Sequence, residues 1–339
     1  MELPEFVPER VAALDPLGAD DACARLPRMN AGADVGALAS TLSALLPSAT
    51  VLSGLSYDEC LAAMRDLGMF LASLKRHGTE PVSAVPAVEP VLVELGRRTD
   101  MVPRETIHHY TELNPTGARQ RMYRTDPMEA DAINIMRLAF RHFTTAIGLA
   151  TQLAPGQPQD PEFPVLATAL ADELGSLDTA MTLSHEHLEP GWFYGEFLPY
   201  TYDIGIAGTR YMGPSAAQFP LAVIDMLLWE SDHASPDLAT FRSTRVAFTR
   251  PHLRALHAQW AALPSLTTRV HTALTDSPTS TVHDSATALT AVLRALLVFR
   301  GKHLAYARKG SSAAHLALLQ DITDQTRHMT GLARVPTPS

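Results

Sequence analysis

An all-α fold is what the spacing of apolar residues predicts for this chain. Apolar side chains recur at helical intervals in several long segments, and prolines or glycines separate those segments. No stretch alternates β-branched and polar residues, and no closely spaced hairpin signal occurs. The chain has 339 residues, 46% of them hydrophobic and 19% charged. It is therefore long and apolar enough to bury a substantial core.

The first clear helix lies in the N-terminal third. Apolar residues share one of its faces at +3 and +4 spacing: Met64, Leu67, Leu71 and Leu74. Basic residues fill the last turn and Gly78 follows it, which is typical of a helix C-terminus.

Longer helices follow in the rest of the chain. They are predicted at about 129–153, 163–187, 220–229 and 282–309. The helix at 129–153 has apolar residues on two adjacent faces, so we expect it to be buried on several sides. A proline-rich loop at 155–161 separates it from the next helix.

The segment 191–220 is not predicted to be helical. It combines aromatic residues with glycines, which permit a ligand to approach the backbone closely. An aromatic, glycine-rich connection of this length is often functional, and flat rings suit a flat aromatic ligand. The alternative is an ordered loop that packs on itself.

Charge and cysteine content limit the partners and the compartment. The formal net charge is −9, with 27 Lys and Arg against 36 Asp and Glu, so we expect no nucleic-acid or membrane-surface binding. No apolar run reaches the roughly 18 residues of a membrane span, and residues 1–5 do not resemble a signal peptide. The only cysteines are Cys23 and Cys60, so we expect the reducing cytoplasm.

A histidine on an apolar helical face is the most informative single residue. The face consists of Leu289, Val292, Leu296, Phe299, His303 and Tyr306. At 100° per residue, His303 lies about 20° from Leu296 around the helix axis. A buried imidazole needs a partner. That partner is either a carbonyl group in the core or a metal, most naturally the iron of haem.

Two features next to this histidine favour haem. Arg300 lies one turn earlier and Lys302 is adjacent, and cations in these positions suit the carboxylates at the edge of a haem. Gly301 leaves room for a ring to approach the helix. The alternative for Arg300 is a surface ion pair.

The motifs occur in the order of a known family. They are Asp15-Pro16-Leu17, Leu26-Pro27, AAMRDLGMFLASLKRHGTEP at 62–81, VPAVEPVLVEL at 85–95, PRET at 103–106, Asn114-Pro115, FYGEFLPY at 193–200, RYMGP at 210–214 and LLVFRGKHL at 296–304. In this the chain resembles the monodechloroaminopyrrolnitrin synthase (PrnB-like) family. That family belongs to the haem superfamily of indoleamine and tryptophan 2,3-dioxygenases.

The resemblance implies an architecture and a cofactor. Residues 1–115 are expected to form a small helical domain that covers the distal side of haem b, and residues 116–339 a large helical haem domain. By the same resemblance His303 is the proximal ligand to the iron, Arg300 binds a propionate, and Asp225 supports Arg300.

The resemblance also implies a substrate pocket. Its expected residues are Phe193, Tyr194, Leu198, Ala207, Gly208, Arg210, Ser311 and Ser312. Leu198 stands where the dioxygenases have an arginine that binds the substrate carboxylate, and Arg210 is a candidate to replace it. The connection after the proximal helix is short, with Gly310 and the two serines in the place of a longer glycine-rich loop.

Further histidines have less specific patterns. His108 and His109 are candidates for distal acid–base groups, and their alternative is a solvated loop. His185 and His187 flank Glu186 near a helix end, where solvated side chains are expected rather than a metal site.

The implied activity is oxidative rearrangement of a tryptophan-like substrate in secondary metabolism, with O₂ or H₂O₂ as oxidant and an electron donor as a further partner. The alternatives are a haem-dependent hydroxylase or peroxygenase of an aromatic compound without a carboxylate, a haem-binding protein without turnover, and a helical protein with no cofactor.

Overall fold

The computed structural model describes residues 7–215 and 218–335. Almost all of its regular structure is helical, so the all-α prediction is confirmed. The α-helices are α1 (Pro8–Ala13), α2 (Asp20–Ala31), α3 (Val35–Ala44), α4 (Ala49–Gly54), α5 (Tyr57–Arg76), α6 (Pro81–Ala84), α7 (Val88–Thr99), α8 (Ile107–Tyr110), α9 (Pro127–Leu153), α10 (Glu162–Gly175), α11 (Leu177–His187), α12 (Pro190–Trp192), α13 (Leu221–Asp225), α14 (Ser231–His233), α15 (Pro236–Val246), α16 (Pro251–Ala261), α17 (Leu266–Asp276), α18 (Ser280–Ala307) and α19 (Ala313–Leu332).

The longest predicted helices are present, with small differences. Helices α5, α9 and α18 occupy the predicted positions, and α5 ends as expected, with Gly78 at a positive φ of 76° just beyond it. The single helix predicted over 163–187 is divided into α10 and α11. The division follows Gly175, because glycine and the serine after it are weak helix formers.

Segment 191–220 contains more regular structure than predicted. A π-helical turn covers Phe193–Phe197, a 3₁₀ turn covers Leu198–Thr201, and an antiparallel hairpin pairs β1 (Ile204–Ile206) with β2 (Thr209–Tyr211). The sequence has no closely spaced hairpin signal, yet this short hairpin is present. The strands have only three residues each, and the turn is Ala-Gly rather than the usual Asn-Gly, so the sequence signal was weak.

The hairpin turn places an alanine in the left-handed region. Ala207 has a φ of 48° and Gly208 a φ of 76°, and left-handed backbone is unfavourable for alanine but tolerated by asparagine. We expect Ala207→Asn to raise the free energy of unfolding by about 1 kcal/mol. Urea unfolding measures the change, with Thr209→Asn as the control at a neighbouring strand position. An equal effect of both substitutions would contradict the prediction.

The chain divides into two compact units. The first takes its described residues from Met1–Arg137, Trp192–Phe219 and Ala247–Pro251. Its central helix is α5, which is buried along most of its length and packs against α3 and α7. Gly68 of α5 has no side chain and lies directly against Glu105.

The second unit takes its described residues from Leu138–Gly191, Pro220–Val246 and His252–Ser339. Its central helix is α18, which packs against α10, α11, α17 and α19. The two units therefore interleave along the chain, whereas the predicted domains 1–115 and 116–339 are consecutive. The haem-binding and capping roles assigned to those stretches stay predictions.

Helix α18 also meets a length and composition test for a membrane span. The sequence analysis found no apolar run of that length, so α18 differs from that expectation. Half of the most apolar 18-residue stretch of α18 is buried inside the protein. The core helices of soluble proteins can have the same length and composition.

Candidate functional site

His303 lies on the C-terminal half of α18. The His303 side chain is half-buried. Protein atoms lie around most of the imidazole, and part of its surface stays accessible to solvent. Burial lowers the pKa of His303 to about 4, with smaller contributions from His315 and Arg300, so the ring is neutral at physiological pH. Its ring contacts Phe299 at a centroid distance of 6.1 Å. Among the described residues the imidazole has no hydrogen-bond partner.

Helix α11 holds the turn of α18 that carries His303. The His185 ring donates from Nε2 to the Lys302 carbonyl at 3.1 Å, and the Tyr306 hydroxyl donates to the Leu188 carbonyl at 3.1 Å. The Lys302 ammonium contacts Asp178 at 2.6 Å. His185 therefore has a structural contact and is not simply solvated, contrary to the sequence expectation.

Arg300 is buried one turn before His303, and it does not form a surface ion pair. Its guanidinium donates to the Asp225 carboxylate and to the Thr326 hydroxyl. These contacts use two of its five N–H groups. The structure thus places Asp225 beside Arg300, as the resemblance implied, while any contact with a cofactor stays a prediction.

Asp225 belongs to a larger buried charge cluster that the sequence analysis missed. Its carboxylate also accepts from Arg242 at 2.9 Å and from the Trp229 indole at 3.2 Å. Arg242 in turn donates from Nε to Glu230 at 3.1 Å. Asp225 and Trp229 are four residues apart, a helical spacing that was visible in the sequence. The distant Arg242 carried no such signal.

A π-helical turn over Met226–Glu230 follows Asp225 directly. Such turns are rare and are frequently found at functional sites. Here the turn carries both Trp229 and Glu230 of the buried charge cluster.

Glu230 is a carboxyl group of this cluster with a raised pKa. Burial raises the pKa of Glu230 to about 7, against the attraction of Arg242 and with a further contribution from Asp225. Because this value lies above the usual 4.5, the folded protein binds more protons than the unfolded chain between those pH values. Ionisation of Glu230 therefore costs stability as the pH rises from about 4.5 to about 7.

We expect Glu230→Gln to remove that cost. The variant should gain free energy of unfolding relative to the wild type as the pH rises through the same window, with no further gain above it. Urea unfolding of both proteins at a series of pH values measures the difference. Two parallel pH profiles would contradict the prediction.

The predicted pocket residues of the aromatic segment lie in the first unit. Phe193 and Tyr194 contact each other edge to face at 5.1 Å, and both are half-buried, as is Leu198. The hairpin residues Ala207, Gly208 and Arg210 are exposed. The Arg210 guanidinium donates to the Asp203 carbonyl at 2.9 Å.

Arg104 holds the base of the hairpin and was missed by sequence reasoning. Its guanidinium donates to the carbonyls of Tyr202 and Tyr211, both at 2.7 Å, and so ties together the two ends of the hairpin. It also pairs with Glu105 at 3.2 Å. A Cβ on Gly213 would lie 2.5 Å from Arg104, so this glycine makes room for the guanidinium. The PRET motif had suggested the region, but not this contact.

His108 and His109 lie on α8 and are fully buried, not in a solvated loop. The His108 ring bonds to Glu112 at 2.6 Å, and His109 Nδ1 accepts from the Thr106 backbone at 3.1 Å. Burial lowers the pKa of both imidazoles, to about 3 for His109. A distal acid–base role needs accessible surface, which neither ring has here, and it stays a prediction.

The two serines after α18 lie in the second unit. Ser312 is the N-cap of α19, since its hydroxyl accepts from the His315 backbone at 3.3 Å. Ser311 is half-buried, and its backbone donates to the Ala307 carbonyl at 2.8 Å. A contact of either serine with substrate stays a prediction.

The predicted site residues thus form two groups. His303, Arg300, Asp225 and the two serines belong to the second unit, and the others belong to the first. Within the described parts of the chain, no group of three or more His, Cys, Asp or Glu side chains is arranged to hold a metal ion. His303 of the second unit does offer a neutral imidazole, which would suit a haem that supplies the remaining ligands to its iron.

The chain matches the model of a known family. Residues 16–295 match a family model described as monodechloroaminopyrrolnitrin synthase PrnB. The match covers most of the chain and includes Asp225 and the aromatic segment. It ends shortly before Arg300 and His303.

Proposed function

The chain belongs to the monodechloroaminopyrrolnitrin synthase PrnB family, and from this premise we propose that it is an oxidative enzyme of secondary metabolism that binds haem b through His303. The substrate we propose is a small tryptophan-like aromatic compound, which is oxidatively rearranged. We further propose O₂ or H₂O₂ as the oxidant, an electron donor as a partner and the cytoplasm as the location.

The hydrogen bonding, exposure and charge of the His303 ring are the observations that carry this proposal. A histidine with a purely structural role in the core would hydrogen-bond to a carbonyl group. The His303 ring has no hydrogen-bond partner among the described residues. It also keeps accessible surface, and its lowered pKa makes it neutral, which is the form that binds a metal. These three properties suit a residue that would hold the iron of haem.

The neighbouring residues support the same assignment. Arg300 has N–H groups beyond those it uses for Asp225 and Thr326, and it can donate them to a propionate. Asp225 fixes the position of the guanidinium. When bound, haem supplies the oxidative chemistry; the protein supplies ligation, charge and a shaped cavity.

The substrate-side residues leave two candidate activities. Leu198 is half-buried and apolar, so it cannot pair with a substrate carboxylate. Either Arg210 replaces the missing cation, or the substrate has no carboxylate. The second case favours a hydroxylase or peroxygenase of an aromatic compound. No comparable observation favours a haem protein without turnover, because neither the His108 ring nor the His109 ring has accessible surface with which it would hold a haem iron.

Haem titration tests the central claim. We expect the full-length protein to bind one equivalent of haem b with a Soret band typical of histidine ligation, and His303→Ala to weaken binding and shift the band. His233→Ala is the matched control, since that half-buried ring already bonds to Thr268 at 2.9 Å. A wild-type protein that takes up no haem, or a His303→Ala protein with an unchanged spectrum, would refute the proposal.

Substrate binding separates the two activities. Tryptophan and tryptamine, which lacks the carboxylate, can be compared by the spectral change that each causes in the haem-loaded protein, followed by product analysis. If Arg210 binds the carboxylate, Arg210→Ala weakens tryptophan binding and leaves tryptamine binding unchanged. Equal loss for both ligands would exclude that role, and net oxygen insertion without skeletal change would indicate a hydroxylase.

A further inference from the structure

Five aromatic rings of the first unit form a continuous series of contacts. The centroid distances are 5.4 Å for Trp192–Phe197, 5.8 Å for Phe197–Tyr110, 5.3 Å for Tyr110–Tyr123 and 4.3 Å for Tyr123–Tyr200. Three of these four pairs are stacked. All five side chains are buried. We call this series the aromatic array.

The three tyrosines of the aromatic array differ in the groups that contact their hydroxyls and rings. The Tyr110 hydroxyl donates to the Glu129 carboxylate at 2.7 Å. The Tyr123 hydroxyl is buried without a partner among the described residues. Tyr200 lies under the Arg76 guanidinium, at 6.0 Å from the ring centroid. Tyr110 alone among them thus has a carboxylate in hydrogen-bonding contact.

This difference decides where an electron is most easily removed. A phenol that loses one electron becomes a strong acid, so its oxidation is much easier when a base can take the proton at once. Tyr123 has no such base, and a positive charge over Tyr200 opposes the loss of an electron from that ring. Only Tyr110 has the required acceptor.

Glu129 is well placed to accept this proton. The backbone N–H groups of Tyr123 and Arg124 donate to its carboxylate at 2.7 and 2.8 Å, which fixes the side chain in position. Burial raises the pKa of Glu129 to about 7, which makes it a stronger base than an ordinary carboxylate. It lies in the first turn of α9, where a negative charge is favoured.

We propose that the Tyr110–Glu129 pair is a one-electron oxidation site. When a ring of the aromatic array is oxidised, Tyr110 supplies the missing electron and becomes a tyrosyl radical. The entry point is Trp192. It is 6% exposed, against 0% for Trp229 and 1% for Trp260, and it is the only tryptophan in the array.

The transfer step balances as follows in atoms and charge. A one-electron oxidant, such as a radical derived from H₂O₂, first takes one electron from the Trp192 indole and is itself reduced, which leaves Trp192 as a radical cation. This radical cation then takes one electron from Tyr110 and returns to its closed-shell form. Tyr110 releases its hydroxyl proton to the Glu129 carboxylate and becomes a neutral phenoxyl radical, and Glu129 becomes a carboxylic acid. Trp192 Nε1 has no acceptor among the described residues, so the indole radical cation keeps its proton long enough to pass on the oxidation.

The site suits a protein that handles strong oxidants. An oxidising equivalent that is not used on substrate would be held at Tyr110 instead of damaging the protein at random, and a reductant could then remove it. The natural source of the oxidant rests on the proposed function. The redox site itself depends only on side chains of the first unit.

An external one-electron oxidant tests the site without any need for haem chemistry. Azidyl radicals, generated by pulse radiolysis in a solution of the full-length chain, oxidise accessible indoles within the pulse. We expect the indolyl absorbance to decay while the phenoxyl absorbance grows at the same rate, independently of protein concentration. Absence of this coupled growth in the wild type would overturn the proposal, whatever the protein does with haem.

Three variants locate the step. Tyr110→Phe keeps the ring but lacks the phenol, and we expect it to lose the coupled growth; Glu129→Gln lacks the proton acceptor and should lose it as well. Tyr123→Phe is the matched control, because this ring is equally buried and stacked but has no acceptor, and we expect it to retain the growth. Retention of the growth in Tyr110→Phe, or its loss in Tyr123→Phe, would overturn the assignment to Tyr110.

A measurement on the wild-type protein guards against unfolded variants. The radical trapped by freezing after oxidation should give an electron paramagnetic resonance signal of a tyrosyl radical. Its hydrogen bond from protonated Glu129 should appear as a proton coupling that disappears after exchange into D₂O. A tyrosyl radical without an exchangeable coupling would exclude the Tyr110–Glu129 pair.

Discussion

Asp225→Ala is expected to lower the free energy of unfolding by about 3–5 kcal/mol, the range typical of a buried ion pair that loses one partner. Asp225 is 0% exposed and accepts hydrogen bonds from Arg300, Arg242 and Trp229. Without it, Arg300 keeps the neutral Thr326 hydroxyl and the Trp229 ring among the described residues, and Glu230 is the one carboxylate left to Arg242 there. The loss arises mainly from burying guanidinium groups that have lost their counter-charge.

Asp178→Ala is the matched control for this substitution. The Asp178 carboxylate pairs with Lys302, which lies on α18 as Arg300 does. Both side chains of that pair are exposed to solvent. Exposed ion pairs contribute about 0–1 kcal/mol, so this variant should unfold at nearly the wild-type urea concentration. Equal destabilisation by the two substitutions would show that burial of the charge cluster is not the source of the effect.

Gly68→Ala is expected to destabilise the first unit by about 3 kcal/mol through overpacking. A Cβ at this position would lie 2.4 Å from Cβ and 2.6 Å from Cγ of Glu105, well inside contact distance. Neither side can yield, because Gly68 is in the buried centre of α5 and Glu105 is 2% exposed and paired with Arg104.

Gly148→Ala controls for the intrinsic effect of the same substitution. Gly148 is in the interior of α9, and nothing lies within 4 Å of a Cβ added there. Alanine favours helix by about 1 kcal/mol over glycine, so we expect this variant to be more stable than the wild type. Opposite signs in urea unfolding would confirm steric overlap at Gly68, whereas stabilisation in both variants would contradict it.

Local rules explain why most of the helices could be predicted. The +3 and +4 spacing of apolar residues and the glycine after the last turn are contained within a few residues of α5. The hairpin could not be predicted in the same way. Its strands are three residues long and depend on Arg104, about one hundred residues earlier in the chain, to hold their ends.

The candidate site shows the same division. His303 and Arg300 were accessible to sequence reasoning because one helical turn separates them. Arg242 and Thr326 were not, because each reaches Asp225 or Arg300 only through tertiary packing. The Tyr110–Glu129 pair was also missed, since a hydrogen bond between residues nineteen positions apart has no periodic signature.

The hairpin tied at its base by Arg104 offers a route to engineering. Its tip, Ala207 to Arg210, is exposed, while the carbonyls of Tyr202 and Tyr211 are fixed by one guanidinium. Exposed tips with anchored ends are where inserted peptides are best tolerated, because lengthening a loop adds little closure entropy. A short epitope or a library of randomised residues can therefore be grafted between β1 and β2 without disturbing the helices, provided that Arg104 is kept.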